Sequence, residues 1–396
     1  MSVPRTRVLF VNTPTRAPLG ADTWVHAQIM RELDRSTTEL WAACVTGGAS
    51  APTPTYLLLR QIPDLRFRSV NFGPELHGRS WRGKLRALVS GVRVVPSFVR
   101  LVALVRYRHV QIIHTSDRPR DAFVCVLLAR LTGATCVIHV HVGYGEWMSG
   151  LLKWALKRAD ALVAVSDFVA RTLVASGHSA AKIHVVLNAI DPADWTPTEE
   201  RDAARREFGV PEHAPLVITV CRLFPAKGVE ELIRAVAAVR EEYPAVRLMI
   251  VGQEMVTGFH QRLVDLADEL GVGQHVVFTG QRSDVRRLME AADVFAMPSV
   301  GEPFGLVFLE AMAMQLPVVA LDSGGTSEVV QDGVTGLLSA PGDTQQLMEN
   351  LLALLRDPAR RQRMGAAGRQ RMQALFTSHR MAADTAMVYK RLTSQK

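Results

Sequence analysis

Short, wholly apolar runs alternate with longer runs of helical spacing from end to end, and this alternation constrains the fold more than any other feature. "RVLFVN" (7–12) reads as a buried strand. A loop with Pro14, Pro18 and Gly20 follows, and then "DTWVHAQIMRELDR" (22–35) places Trp24, Val25, Ile29 and Leu33 near helical spacing. The first half predicts further strands at 39–45, 110–114, 134–140, 161–165 and 183–187. The second half predicts them at 216–221, 247–252, 275–280, 293–299 and 317–321. Helical runs lie between them, as at 229–242, where Val229, Leu232, Ile233, Val236 and Val239 form one apolar face. A strand that is apolar on both sides must be covered on both sides. The expected fold class is therefore α/β, with parallel sheets between helices.

At 396 residues the chain is long enough for two such units. The alternation pauses at 191–215, "DPADWTPTEERDAARREFGVPEHAP", a stretch rich in proline and charge. The junction is placed there. The expected domains are a Rossmann-like unit over 1–190, a second over 191–375, and a helical segment over 376–396 that packs back on the first. Ligands of open α/β sheets bind beyond the carboxyl ends of the strands, so two such units facing each other make a cleft.

Composition excludes several classes. Hydrophobic residues make up 48% and charged residues 21%, which is ordinary for a globular enzyme. No run of about 18 uncharged apolar residues predicts a spanning helix. The apolar part of "MSVPRTRVLFVN" is too brief for a signal peptide. Cys44, Cys125, Cys136 and Cys221 are scattered without a C-x-x-C pair, so they are read as reduced thiols, and the expected location is cytoplasmic. Residues 1–200 carry 24 Lys/Arg against 15 Asp/Glu, whereas residues 201–396 carry 22 against 23. The basic half implies an anionic partner. Nucleic acid is not expected, since no zinc, helix-turn-helix or aromatic RNA-binding pattern occurs.

Two stretches carry candidate chemistry. In "VCRLFPAKGVEELI", Arg222 follows a strand and Lys227–Gly228 precede a helix, so two cations converge on a helix N-terminus. This suits a phosphate, the alternative being solvated loop cations. In "GEPFGLVFLEAMAMQLPVVA" (301–320), Glu302 and Glu310 stand in an otherwise apolar stretch. The helix is expected to start near Gly305 and end before Pro317. Its free N–H groups near Phe304 to Val307 can hold a phosphate. Glu302 precedes the helix at the cleft mouth, and Glu310 can reach a neutral group such as a hydroxyl or be hydrogen-bonded within the core.

"RLFPAKG", "LMIVGQ", "VVFTGQRSDVRRLMEAADVFAMPS", "EPFGLVFLEAMAMQLPVVAL" and "SGGTSEVVQDGVTGLL" occur in series and resemble the family 4 retaining glycosyltransferases of GT-B fold. The resemblance continues more weakly through 159–195. It implies that Arg222 and Lys227 neutralise a donor diphosphate and that Glu302, first of an E-x7-E motif, lies beside the transferred sugar. It further implies that Glu310 bonds the ribose, that Phe304, Gly305 and Leu306 present amides to phosphate and sugar, and that Gly20, Gly252 and Arg282 contribute to donor binding. In "CVIHVHVGYGEW", His139 and His141 share one strand face by period two, and the resemblance implies His141 as the active-site histidine. The sequence departs from the family pattern where Gly20 is followed by Ala21 rather than a second glycine, and where Ala189 follows Asn188.

The implied reaction is transfer of a hexose from a UDP- or GDP-sugar to a small-molecule or lipid-linked hydroxyl acceptor, with front-face retention. No D-x-D element is found, so no metal and no cofactor is expected. A GT-B protein of another class, whether a nucleotide-sugar binder, an epimerase or a phosphorylase, is the alternative reading. Finally, no Asp or Glu stands between Leu76 and Ser116, but Arg79, Arg82, Lys84, Arg86, Arg93, Arg100, Arg106 and Arg108 do, among many aliphatic residues. Over 79–108 this suits a surface on an anionic bilayer, in two helices divided at Pro96; the alternative is a helix packed on the core.

Overall fold

The computed structural model describes residues 5–17, 19–48, 51–73 and 94–394. They form two compact units, 1–188 with 378–396, and 189–377. The first contains a seven-stranded sheet in the order Arg66–Ser69, Thr38–Cys44, Thr6–Val11, Ile112–Ser116, Thr135–Val140, Ala161–Ala164 and Ile183–Val185. The second contains a six-stranded sheet in the order Val276–Gly280, Arg247–Val251, Leu216–Val220, Val294–Met297, Val318–Leu321 and Gly336–Ser339. All neighbouring strands in both sheets run parallel.

The apolar runs explain the layers. Val8, Leu9, Phe10 and Val11 are fully buried, as are Leu216, Val217 and Ile218. In the second unit Val229–Val239 turns Val229, Leu232, Ile233, Val236 and Val239 into the core and leaves its charged residues outside. Pro119–Thr132 opens on proline and closes on Gly133 in the left-handed conformation, the two ends a helix tolerates best.

Each sheet reverses its strand order once. In the first unit this happens between Thr6–Val11 and Ile112–Ser116; in the second, between Leu216–Val220 and Val294–Met297. At such a point two neighbouring connections leave on opposite faces and open a crevice beyond the carboxyl ends.

The chain crosses between the units at Asn188–Ala189 and at Thr377–Ser378. Residues 191–215 belong wholly to the second unit. Arg201–Glu207 is a helix there, and its buried Arg205 donates to the carbonyls of Ala291 and Ala214 and reaches Asp293. The charge that marks this stretch as a linker in sequence is therefore bonded to the second unit. At the other crossing, Ser378–Ser394 returns to the first unit and packs on Ala21–Glu32. Two edge strands, Arg66–Ser69 and Gly336–Ser339, were not expected. They are four residues each, and the first is mostly exposed, so neither shows a long apolar run.

Residues 79–93 of the basic segment lie outside the described residues. In Val94–Tyr107, Pro96 sits within the first turn. Leu101, Leu104 and Val105 face the core, while Val95, Val99 and Arg100 are exposed. Arg106 donates to the carbonyl of Leu131 at 2.8 Å. No described helix is long and apolar enough to cross a membrane.

Candidate active site

In the second unit, the two strands flanking the reversal lead directly into the two stretches singled out by sequence. After Leu216–Val220 the chain forms the loop 221–228, which is bound to the loop after Arg247–Val251. Leu223 N–H donates to the carbonyl of Gln253, and Met255 N–H to that of Leu223. Gly252 makes this approach feasible: a Cβ there would lie 1.8 Å from the carbonyl oxygen of Cys221, and its φ is +146°. Arg222 and Lys227 both lie over the Phe224 ring, 6.0 and 5.7 Å from its centroid. Arg222 is exposed, whereas Lys227 is half-buried.

After Val294–Met297 comes the loop 298–305. Val300 N–H donates to the carbonyl of Ala226 at 2.8 Å, and Ser299 Oγ lies 3.2 Å from the same oxygen. Gly228 lets the loops touch, since a Cβ there would sit 2.0 Å from the oxygen of Pro298. Glu302 is thereby brought against the cation loop. Its Oε2 accepts from Lys227 Nζ at 2.5 Å and from Ser299 Oγ at 3.1 Å. The backbone of Glu302 is held from the other side, where Gly325 N–H donates to its carbonyl at 2.7 Å. Gly324 admits this contact; a Cβ there would stand 2.3 Å from the same oxygen. The glycines of "SGGT" thus serve to fix Glu302. Ser299, unremarked in the sequence, is the third polar group of the cluster.

Gly305, at φ +89°, begins the helix Leu306–Ala313. Phe308, Leu309, Ala311 and Met312 are completely buried, and Phe304 packs edge-on against Phe376. Burying each large side chain contributes roughly 1.5–3 kcal/mol, so the helix is strongly anchored. Glu310 lies on its less buried side, and no hydrogen-bond partner for its carboxylate occurs among the described residues. Burial pushes its carboxyl up to about 7. A carboxylate left this way is poised for a donor from outside the chain.

Arg282 has other partners. Its guanidinium bonds Asp284 at 2.8 Å and Glu207 at 3.0 Å, and these two charges, with hydrogen bonds to both, hold it protonated well above its usual range. The structure thus gives Arg282 an ion-pair network with Arg287 and Glu200 rather than a place in the Lys227–Glu302 cluster.

The first unit has a polar centre at its own strand-order reversal. Gly20 caps Ala21–Glu32 without a side chain, where a Cβ would lie 2.4 Å from Asp22 Oδ1. Asp22 accepts two bonds from Arg118, at 2.6 and 2.9 Å. Burial would raise its carboxyl, but the Arg118 bonds and charge outweigh it and bring it to about 2. His141 follows the strand Thr135–Val140, and its backbone N–H donates to Asp117 Oδ2 at 2.9 Å. His139 lies on the same face, the two rings 4.4 Å apart.

Two further histidines, which sequence reasoning missed, meet them from other elements. His26 comes from Ala21–Glu32 and His114 from Ile112–Ser116. His26 Nδ1 bonds Asn12 Oδ1 at 3.0 Å, and His114 Nδ1 bonds Tyr389 Oη at 2.5 Å. Each unpaired buried polar atom ordinarily costs on the order of 1–3 kcal/mol, and among the described residues these four rings leave six nitrogens without a partner. The signal was the residue type alone: "WVHAQ" and "IIHTS" each place a histidine among core residues of a different element.

Comparison with known proteins bears on the whole chain. Residues 56–194 match the family described as Glycosyltransferase Family 4, and residues 200–371 match Glycosyl transferases group 1. The D-inositol 3-phosphate glycosyltransferase of Nocardia farcinica is 39% identical over 220 residues, which is 54% of this chain and 49% of that one. The alpha-maltose-1-phosphate synthase of Mycolicibacterium smegmatis is 35% identical over 61% of this chain and 65% of its own. The matched stretches therefore span between half and two thirds of these relatives' lengths. Among solved structures, Anabaena HepE in complex with UDP superposes with a TM-score of 0.80 at 22% identity, covering 98% of this chain and 100% of that one. Sucrose-phosphate synthase from Thermosynechococcus elongatus gives 0.78 at 23%, covering 99% and 100%. The expected fold class is thus the observed one, and the chain belongs to the family 4 glycosyltransferases of GT-B fold.

Proposed function

We propose that the protein is a retaining hexosyltransferase that moves a sugar from a UDP- or GDP-sugar to a hydroxyl acceptor without a metal ion at the diphosphate. One observation carries the reading. Lys227 and Glu302, the residues expected at the diphosphate and at the sugar, meet at 2.5 Å where the second sheet reverses its strand order. Arg222 and Lys227 supply two positive charges to a leaving diphosphate, and the N-terminus of Leu306–Ala313 adds its unpaired amides. Glu310 offers its carboxylate to the ribose hydroxyls. Glu302, fixed by Ser299 and Gly325, positions the sugar. His141 keeps the sugar-side role that the resemblance implies. In a front-face reaction the acceptor hydroxyl attacks on the side from which the diphosphate departs, and the diphosphate takes the proton. The protein's part is then orientation and charge stabilisation.

The test is a panel of UDP-, GDP- and ADP-sugars, read by melting temperature and donor hydrolysis, with EDTA present and absent. One nucleotide class should stabilise the protein and be hydrolysed in both conditions. Lys227→Ala should lower kcat/KM about 10²-fold or more, equivalent to a few kcal/mol of transition-state stabilisation. Glu302→Gln should nearly abolish turnover while nucleotide binding persists. Binding of every class without turnover would support the alternative, a nucleotide-sugar binder.

A second reading concerns location. Val95 and Val99 are exposed beside Arg100 on Val94–Tyr107, in the basic segment. Apolar side chains with a neighbouring cation favour peripheral contact with an anionic bilayer, and hence a lipid-linked acceptor.

A further inference from the structure

Three buried histidines of the first unit have no role in the transfer proposed above, and they converge. His26, His114 and His139 are all fully buried and come from one helix and two adjacent strands. Each offers one ring nitrogen, and these three nitrogens lie within 4.8 Å of one another. His26 Nε2, His114 Nε2 and both nitrogens of His139 have no partner among the described residues.

We propose that His26, His114 and His139 form a transition-metal site, best suited to zinc, inside the first unit. The donor set selects the class. Neutral imidazoles favour Zn²⁺, Co²⁺, Ni²⁺ or Cu²⁺ over Mg²⁺ or Ca²⁺, which prefer oxygen ligands. Tetrahedral zinc with Zn–N bonds near 2.0–2.1 Å needs nitrogens about 3.4 Å apart, so the rings need only draw together by about 1.4 Å or less.

The outer partners match what such ligands require. A metal-bound histidine gives its other ring N–H to an acceptor, which fixes tautomer and orientation. His26 Nδ1 faces the side-chain amide oxygen of Asn12, so the proton belongs on Nδ1 and the unpartnered Nε2 keeps its lone pair for a metal. His114 Nδ1 faces Tyr389 Oη, which can accept in the same way. Tyr389 is held there by the C-terminal helix Ser378–Ser394, so this helix would supply an outer partner. His141, its ring 4.4 Å from that of His139 and 5.7 Å from that of His26, borders the site but keeps its sugar-side role, so the protein supplies three ligands and leaves the fourth position open. Asp22, paired with Arg118, is the carboxylate whose charge acts on His26. The three ligands belong to the first unit, whereas Arg222 and Lys227 belong to the second, so the proposal stands whether or not the transfer reaction needs a divalent ion.

The test uses the full-length protein stripped with a strong chelator and titrated with Zn²⁺, and separately with Co²⁺. Expected are one saturable equivalent per chain, a visible Co²⁺ absorption of the intensity given by low-coordinate nitrogen ligation, and a rise in melting temperature with Zn²⁺ but not with Mg²⁺. His139→Gln should abolish uptake. Asn12→Ala and Tyr389→Phe, which keep all three ligands, should weaken it about 10- to 100-fold. They keep the proposal testable even if His139→Gln does not fold. Replacing the exposed His213 with Ala should change nothing. No saturable uptake by the wild type, full uptake by a folded His139→Gln, or Asn12 and Tyr389 variants that both bind as the wild type does would each overturn the site.

Discussion

Glu310 shows how much one side chain can report. Its carboxyl rises from 4.5 to about 7 because burial penalises the charge and no partner offsets it. The folded protein therefore holds a proton there that the unfolded chain releases. Stability from this group is complete below about pH 4.5 and falls as pH rises to about 7, by up to about 3 kcal/mol, since each unit is worth about 1.4. Glu310→Gln removes that loss, so the ligand-free variant should melt higher than the wild type, with the gap widening between pH 5 and pH 7.5. Ribose hydroxyls would donate to the carboxylate and favour its charged form, so nucleotide affinity of the wild type should increase as pH rises toward 7 and then level off. The variant should bind nucleotide more weakly and lose that slope. Scanning calorimetry and nucleotide titration across the range check both. A gap of constant size would show that Glu310 is partnered in the folded chain, and the ribose assignment would then fail. The sequence could place Glu310 on a buried helix, but not say whether the core offered it a partner; that depends on which residues of other elements reach it.

At the scale of elements, the site helix is positioned by a neighbour whose sequence gave no functional hint. Leu306–Ala313 packs on Pro358–Leu375, where Gly365 and Gly368 are buried. A Cβ at Gly365 would lie 1.9 Å from the carbonyl oxygen of Gln315, and one at Gly368 would lie 3.1 Å from Met312 Cγ. The first collision is with backbone just past the site helix, so it cannot be relieved by turning a side chain. Gly365→Ala should destabilise by about 1–3 kcal/mol, typical of overpacking, and should lower kcat by displacing the helix that carries Glu310. Gly368→Ala, which meets a flexible methionine, should cost less. Melting curves and donor hydrolysis on the two variants give the ranking, and the reverse order would remove the argument. The strands and helices that carry Arg222, Lys227, Glu302 and Glu310 were legible because their apolar runs are continuous and their breakers, Gly228, Pro303 and Gly305, sit at the ends. Spacing brought Arg222 and Lys227 near one helix, but the ion pair of Arg282 with Glu207, 75 residues away, arises only in the fold. The histidine centre was legible only at His139 and His141, because His26 and His114 join it through the strand order.

For the molecule as a whole, two parallel sheets could be read from periodicity, but the bonds that tie 191–215 into the second unit could not. The arginines and glutamates of 191–215 look solvated in sequence, and pairing such as that of Arg205 with Asp293, 88 residues away, appears only in the fold. Charge distribution, by contrast, survives any error in topology. Residues 1–200 carry nine more cations than acids, and residues 201–396 carry one fewer. If this excess serves an anionic bilayer, binding should be carried by the first half of the chain and should weaken with salt, each surface cation contributing about 1 kcal/mol within a Debye length near 10 Å at 0.1 M. The full-length protein should sediment with anionic liposomes and stay in solution with neutral ones. Val95→Asp with Val99→Asp removes exposed apolar side chains while Leu101, Leu104 and Val105 keep the helix on its core, so the fold should persist and membrane affinity fall. Arg82→Glu, Lys84→Glu and Arg86→Glu reverse charge in the same segment, at positions outside the described residues. They should reduce binding further at low salt and have little effect at 0.5 M, where the electrostatic part is already screened. Hydrolysis of a soluble donor should be unchanged in both variants, because none of these residues belongs to the donor cluster. Equal sedimentation of wild type and both variants would assign the basic excess to a soluble anionic acceptor instead.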